Sequence, residues 1–471
     1  MKVTLAGYNI EAEGIERLNR ETGETYTPEV ISAAYARVTR DPRRLETFRR
    51  EARKAVDTAR DRNERIVYKF GHRSIAEHAV FNFDIMGISR LAVEEVEHFR
   101  LASYTEKSQR YIRLGKDIIV PREISERDLD SEFSAIMVRL HHAYEELLEV
   151  MLAAGEKEGV AKEDARYLMP LATAAQLGMT VNARELEYMI ARLASHPLDE
   201  MRRLSGQLCE AAAGIAPSLV KYPDTTPYFE NMHPAREEFM HSYTDKGTDK
   251  GGGSGDVARL VEVTDGGDRR LASCLLFSVG GMSMEEAERL VRRMPRKDLQ
   301  RIVARTLRHI EKHDSVWREF ESVNLLFEVV VSASCFAQLK RHRLATLITQ
   351  PYDLSLGIKI PESIRKAKAV RLFRTAVRSS EKLFSSLKMP VGPAAAYALS
   401  NAHRRRALVG INLRELYHFS RLRSDRHAQW EIRNLSNIMC GLAAERLPVS
   451  TMLLGGKDGF DEQKNTILSG T

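Results

Sequence analysis

The chain has 471 residues, too many for one ordinary core and enough for two or three domains. Hydrophobic residues at 43% and charged residues at 29%, with a mean hydropathy of −0.35, describe a globular protein with a large core and exclude collagen-like, coiled-coil and wholly disordered chains. No run approaches the ~18 apolar residues of a membrane span, and the net charge of +7 suits an anionic ligand without demanding nucleic acid.

The start, MKVTLAGYNIEAEG, shows no basic region followed by an apolar core, so no secretory signal is expected. Cys209, Cys274, Cys335 and Cys440 form no CxxC and have no His cluster beside them. They read as reduced thiols of a cytoplasmic protein without a metal site.

In chain order, KVTLAGY at 2–8 predicts a short strand, and the amphipathic stretch from Leu45 to Phe70 predicts a helix. A β-rich run follows at 79–87, then a polar loop from His98, then a long helix from Asp128 to Gly159. A helix carrying NAREL at 182–186 closes this unit. The Gly-, Ser-, Asp- and Lys-rich stretch at 243–256 cannot bury a core and reads as a linker.

The pattern then recurs. VARLVEV at 257–263 predicts a strand, 323–331 a second β run, 363–387 a helix, and NLREL at 412–416 the closing helix. EMRRLSGQLCEAA at 200–212 resembles EIRNLSNIMCGLA at 431–443, and HFRLAS at 98–103 resembles RHRLAT at 341–346. With NAREL facing NLREL and His72-Arg73-Ser74 facing His313-Asp314-Ser315, four such matches in the same order indicate a tandem duplication. The expected organisation is a first repeat at 1–235, a linker at 236–256, a second repeat at 257–455 and a frayed tail at 456–471, in the α+β class.

The densest chemistry is QLKRHRLATLITQPYD, which runs from Gln338 to Asp353 and contains Arg341, His342 and Arg343. Guanidinium forks suit phosphate or carboxylate recognition, although an RHR triplet is also compatible with a solvated turn. Its partner from His98 supplies Glu106, Ser108 and Arg110, which fit either a phosphate-binding loop or an exposed polar turn. Arg423 and His427 are i, i+4 neighbours in RLRSDRHAQWEIR. No G-x-G-x-x-G follows a strand, and Walker A, HExxH and GxSxG motifs are absent. Rossmann dehydrogenases, P-loop NTPases and serine hydrolases are therefore disfavoured.

These residues resemble the flavin-dependent thymidylate synthases, whose hallmark is R-H-R, seven residues, then Ser. The resemblance covers almost the whole chain twice. The first half has GHRSIAEH at 71–78, ASYTEKSQRY at 102–111 and ARYLMP with Arg166. It has His98-Phe99 where Arg-His is expected, and Glu95 where the family has Gln. The second half keeps Gln338, Arg341-His342-Arg343, Asn412, Arg414, Arg423 and HAQWEI. It has Pro351 for the signature Ser, Asp353 for the following Arg, Thr349 for the Glu, and Ala396 for the ARxxLP arginine.

The losses are complementary, and the resemblance implies one composite deoxyuridylate site in a pseudo-dimer of the two repeats. Gln338, Arg341 and Arg423 would come from the second repeat, and Glu106, Ser108, Arg110 and Arg166 from the first. Arg423 would act on the uracil ring, with Arg192 as its possible first-repeat equivalent. His313, Arg341, His342, Arg343, Asn412, Arg414 and, where the family often has Asn, His418 would contact FAD. The implied reaction methylates dUMP to dTMP with methylenetetrahydrofolate and NADPH as co-substrates. Two copies per chain imply a homodimer with four repeats, and no membrane or nucleic-acid partner. Another pyrimidine nucleotide as substrate, or flavin or nucleotide binding without turnover, are the alternatives.

Overall fold

The computed structural model describes residues 1–12, 26–38, 41–220, 225–244 and 257–469. It divides into two compact units, one of residues 1–249 with 362–400 and one of 250–361 with 401–471.

The first unit carries an antiparallel sheet ordered β1-β2-β4-β3, built from Lys2–Tyr8 (β1), Val80–Ser89 (β2), Ala102–Glu106 (β3) and Ala174–Asn182 (β4). Alternation along β2 sends Phe81, Phe83 and Ile85 into the core and leaves Asn82 and Asp84 outside. The second unit repeats the plan in the order β5-β6-β8-β7, with Ala258–Val263 (β5), Asn324–Ser332 (β6), Thr346–Thr349 (β7) and Arg404–Asn412 (β8). Leu325, Phe327, Val329 and Val331 of β6 point inward. Both sheets belong to an α+β class.

Strands β3, β4, β7 and β8 lie in stretches where no strand was expected. β4 reads AAQLGMTVN and β8 opens on three arginines, so their apolar alternation is weak. Cross-strand pairing with β2 and β6 settles them.

The expected helix at 45–70 is broken. It forms Leu45–Lys54 and Val56–Glu64, separated at Ala55, which leaves helical geometry with φ −137° and ψ 63°. The two long helices, Asp130–Ala153 and Val370–Val391, are each preceded by a non-glycine residue in the left-handed region, Asp128 at φ 56° and Lys368 at φ 57°.

The compact units cut across the sequence repeats. Helix Val370–Val391 belongs to the second repeat but packs against Asp130–Ala153 in the first unit. Each buries an apolar stripe, Phe133, Met137, Leu140 and Leu147 on one and Phe373, Val377, Leu383 and Leu387 on the other. A single stripe needs such a partner to leave water. Tyr397, beyond this helix, donates its hydroxyl to Glu200 at 2.6 Å.

Two expectations about the connecting segments change. Helix Met232–Thr244 runs into the expected linker, whose remainder at 245–256 lies outside the described residues. The tail expected to fray forms helix Phe460–Ser469, because Phe460 is fully buried in the core of the second unit. Among the described residues, no helix is long and apolar enough to cross a membrane.

Candidate functional site

The N-x-R-E-L motif has a direct structural meaning. Asn412 is the N-cap of helix Leu413–Arg423, and its side chain accepts from Glu415 N at 2.9 Å. Asn182 does the same for Glu185 N at 2.9 Å, opening helix Ala183–Ala194. Asn412, expected beside a cofactor, is thus placed as a helix cap. The matched caps also fix the alignment between repeats. Leu193, which is buried, stands at the position of Arg423, one residue beyond Arg192.

The RHR triplet lies in the turn after helix Ala333–Leu339. Arg341 and Arg343 face outward, while His342 is only 4% exposed. His342 Nε2 accepts from Arg423 Nε at 2.9 Å, and His342 Nδ1 lies 3.2 Å from Glu415 Oε1. Burial, then the charge of Arg423, holds the imidazole pKa well below its ordinary value. The ring is therefore neutral, with its proton on Nδ1 toward Glu415. Burial also raises the Glu415 pKa, against the charges of His418 and Arg414. Arg423 further donates to Gln338 O at 3.3 Å, which ties it to the helix before the triplet. Gln338 is 6% exposed, and its side-chain Oε1 is buried without a hydrogen-bond partner.

Ligand atoms of His342, Glu415 and His418 lie within 4.8 Å of one another. Arg423 already engages Nε2 of His342, so the cluster reads as a hydrogen-bonded support for that arginine.

On the outer face of helix Leu413–Arg423 is a basic pocket of about 180 Å³. His313, Arg414 and His418 line it, joined by Lys312, Arg421 and Lys457, which were not among the sequence candidates. Asp314 is its one acidic lining residue. Arg414 is fixed by Val316 O at 3.0 Å and Glu321 Oε1 at 2.8 Å. This donor set suits an anionic group. The volume is below the roughly 300–1,000 Å³ of sites that enclose a drug-sized ligand, so it suits a small anion or one charged part of a larger ligand.

The first repeat presents a different surface. Phe99 replaces the buried histidine and meets Tyr188 edge-to-face, with ring centroids 5.7 Å apart. Tyr188, equivalent to His418 by the caps, meets Phe229 at 5.8 Å. Arg192 lies 5.7 Å from the Phe229 ring centroid. Helix Pro227–Glu230 thus lays an aromatic cover over the face that is a pocket in the second repeat.

The other candidates gather in the first unit. Glu106 Oε1 pairs with Arg90 Nη1 at 2.9 Å, with both side chains almost fully buried. Arg90 was missed in the sequence because it sits in an apolar helical stretch outside the signature. Ser108 Oγ accepts from Arg110 N at 3.1 Å, and Arg110 is ion-paired with Glu163. Arg166 is 3% exposed and donates to Glu163 O at 3.0 Å. Burial lowers its pKa, the charges of Arg110 and Arg90 add to that, and Tyr167 and Glu163 oppose it. Arg90, Arg110 and Arg166 form a cationic cluster suited to a bound anion.

The corresponding ground of the second repeat is filled. Arg405 donates from Nε and Nη2 to Gln350 O at 3.0 and 2.8 Å. Its guanidinium lies 4.8 Å from the ring centroid of Phe336 and 4.7 Å from that of Tyr352. This clamp holds the loop bearing Pro351.

The sites thus belong to a duplicated α+β unit, with a basic pocket in the second repeat and an arginine–glutamate cluster in the first. The Thy1 family model, thymidylate synthase complementing protein, matches residues 23–218 and again 259–449. The chain belongs to this family, that of the flavin-dependent thymidylate synthases, as a tandem duplicate.

Over 460 residues the chain is 24% identical to the UPF0159 protein Ta1429 of Thermoplasma acidophilum, covering 86% of this chain and 90% of that one. It is 34% identical over 151 residues to a flavin-dependent thymidylate synthase of Pyrococcus abyssi, covering 31% of this chain and 59% of that enzyme. The corresponding enzyme of Clostridium tetani is 30% identical over 216 residues, covering 42% of this chain and 83% of the enzyme. A crystal structure of ThyX from Helicobacter pylori, complexed with FAD and dUMP, matches with a TM-score of 0.33 and 21% identity, covering 47% of this chain and 100% of that one.

Proposed function

We propose that the chain is a cytoplasmic flavoenzyme that methylates dUMP to dTMP with methylenetetrahydrofolate and NADPH, with one working site drawn from both repeats. The observation that carries this reading is the basic pocket. His313, about a hundred residues before Arg414 and His418 on one helix, lines with them one pocket of the second unit, and all three are expected to hold FAD. A flavin bound there would supply the hydride and one-carbon relay.

The chain's own residues supply charge and placement. Ser108, Arg110 and Arg166, with Arg90, would bind the nucleotide phosphate, and Glu106 would be held by Arg90 for the same substrate. Arg423 would be a fixed cation beside the uracil, where it eases loss of the ring-nitrogen proton. Gln338, whose Oε1 lacks a partner, would accept from the base, and Arg341 would reach substrate and cofactor from its exposed place. Arg343 would lie at the cofactor, and neutral His342 would orient Arg423. The proposed assembly is a homodimer of four repeats.

A second reading is supported by one observation. Both repeats depart from the family signature, with Glu95, His98 and Phe99 in the first and Thr349 and Pro351 in the second. The same flavin site would then serve another pyrimidine nucleotide, or bind without turnover.

The deciding test is a visible spectrum with added FAD, followed by anaerobic NADPH reduction with and without dUMP. Bleaching accelerated by dUMP is expected. Bound flavin indifferent to dUMP would favour the second reading, and absence of flavin binding would refute both.

A further inference from the structure

We infer that the C-terminal residues 455–469 are a working wall of the basic pocket, and that Lys457 and Lys312 hold a phosphate or diphosphate group there. This deepens the flavin reading of the same pocket and depends on it only for the identity of the ligand.

The wall is built from several independent contacts. Phe460 is buried at the start of the last helix, and the Arg421 guanidinium lies 4.1 Å from its ring centroid. Gln463 Nε2 donates to Met452 O at 3.1 Å and to Leu454 O at 2.9 Å, closing the loop before the helix. Gly456 lies so close to the chain at Ser424 and Asp425 that an added Cβ would sit 2.7 Å from their backbone, so any other residue would push the loop away. Arg426 N donates to Asp458 Oδ2 at 3.3 Å. Lys457, between these anchors, is a lining residue of the pocket.

The same helix also contacts the segment that bears Lys312. Lys464 Nζ lies 3.2 Å from Glu311 Oε1, next to Lys312 and His313. Glu311 N in turn donates to Asp314 Oδ2 at 2.9 Å. The tail therefore ties together the two strands of loop that bear Lys457 and Lys312. Among the described residues, neither lysine has an ion-pair partner, although charged neighbours surround them. Uncommitted ammonium groups converging on a pocket are suited to a multiply charged anion.

Titration calorimetry of the full chain with pyrophosphate, ADP and FAD at low salt tests the inference. Lys457→Gln and Lys312→Gln should each weaken pyrophosphate and FAD by about tenfold, as loss of one charge-assisted bond implies. Lys464→Gln should weaken both about threefold, with Lys464→Arg restoring them, as a positioning contact requires. FAD binding unchanged by both lysine variants would overturn the role of the tail and leave the flavin reading intact. Lysine-dependent pyrophosphate binding without FAD binding would uphold the wall and defeat the flavin reading. Failure of the unaltered chain to bind any of the three would overturn both.

Discussion

Arg423 donates its Nε–H to Nε2 of buried His342 at 2.9 Å. This bond joins the last turn of one helix to the turn bearing the RHR triplet. The imidazole must be neutral to accept it, and Glu415 on the far side fixes the tautomer. A guanidinium held this way loses little freedom when it meets a substrate.

Arg423→Ala should therefore lower the rate of dUMP-dependent flavin oxidation about a hundredfold or more, with the fold retained, as loss of a preorganised charge does. Arg341→Ala and Ser108→Ala should also cripple turnover. Substitution of His98 or Pro351 should change it little. Equal losses at both sets, in stopped-flow traces of flavin oxidation, would defeat the single-site reading.

His342 also predicts a pH dependence. Its pKa in the fold is depressed by burial and by Arg423. His196 is similarly lowered to about 4, by burial first. Below an unfolded-state pKa of about 6.5 the unfolded chain binds the extra protons, so stability is full above that pH and declines as pH falls. The denaturation midpoint should drop between about pH 6.5 and 4. His342→Phe, the residue found at Phe99, should make that slope shallower. A slope unchanged by the substitution would sink the assignment.

The two asparagine caps should be comparable. Asn412→Ala and Asn182→Ala should each cost about 1 kcal/mol of stability, as loss of a cap typically does. Asn412→Ala should also shift flavin affinity, because the helix it starts carries Arg414 and His418. Urea melts and flavin titrations would separate the two effects.

Tyr397→Phe should lower stability by about 1 kcal/mol through the lost bond to Glu200. Glu200→Ala should cost more, about 3 kcal/mol, because Ser89 N and Oγ both donate to it at 2.7 Å and would be left buried without it. Similar unfolding midpoints for the two variants would contradict this ranking.

Ligand stoichiometry tests the aromatic cover. One dinucleotide per chain is expected, because Phe229 and Tyr188 occupy the first-repeat face. Two equivalent sites in a binding isotherm would contradict it.

Much of this was legible in the residues. Repeats appear in sequence when both copies keep the same local duties. Asn182 and Asn412 cap helices, while Glu200 and Glu431 both accept from the serines that open helices, Ser89 and Ser332. Such duties depend on near neighbours or on one partner at a fixed register, so they leave matching strings. The charged motif residues were legible for a related reason, since they stand in short strings that match the family signature.

The sequence by itself determined the duplication, the family and the complementary loss of signature residues, because those reside in residue identity and order. Only the tertiary structure decided that His342 points inward to hold Arg423, that Arg90 carries Glu106, that Arg405 fills the ground near Pro351, and that the tail folds back on the pocket. It also decided that Val370–Val391 packs beside Asp130–Ala153 rather than within its own repeat's unit. Each of these depends on which apolar surface finds a partner across long stretches of chain. A polar tail or an arginine in an apolar helix has no local pattern that names its partner; packing chooses it, because burial rewards total covered surface rather than sequence proximity.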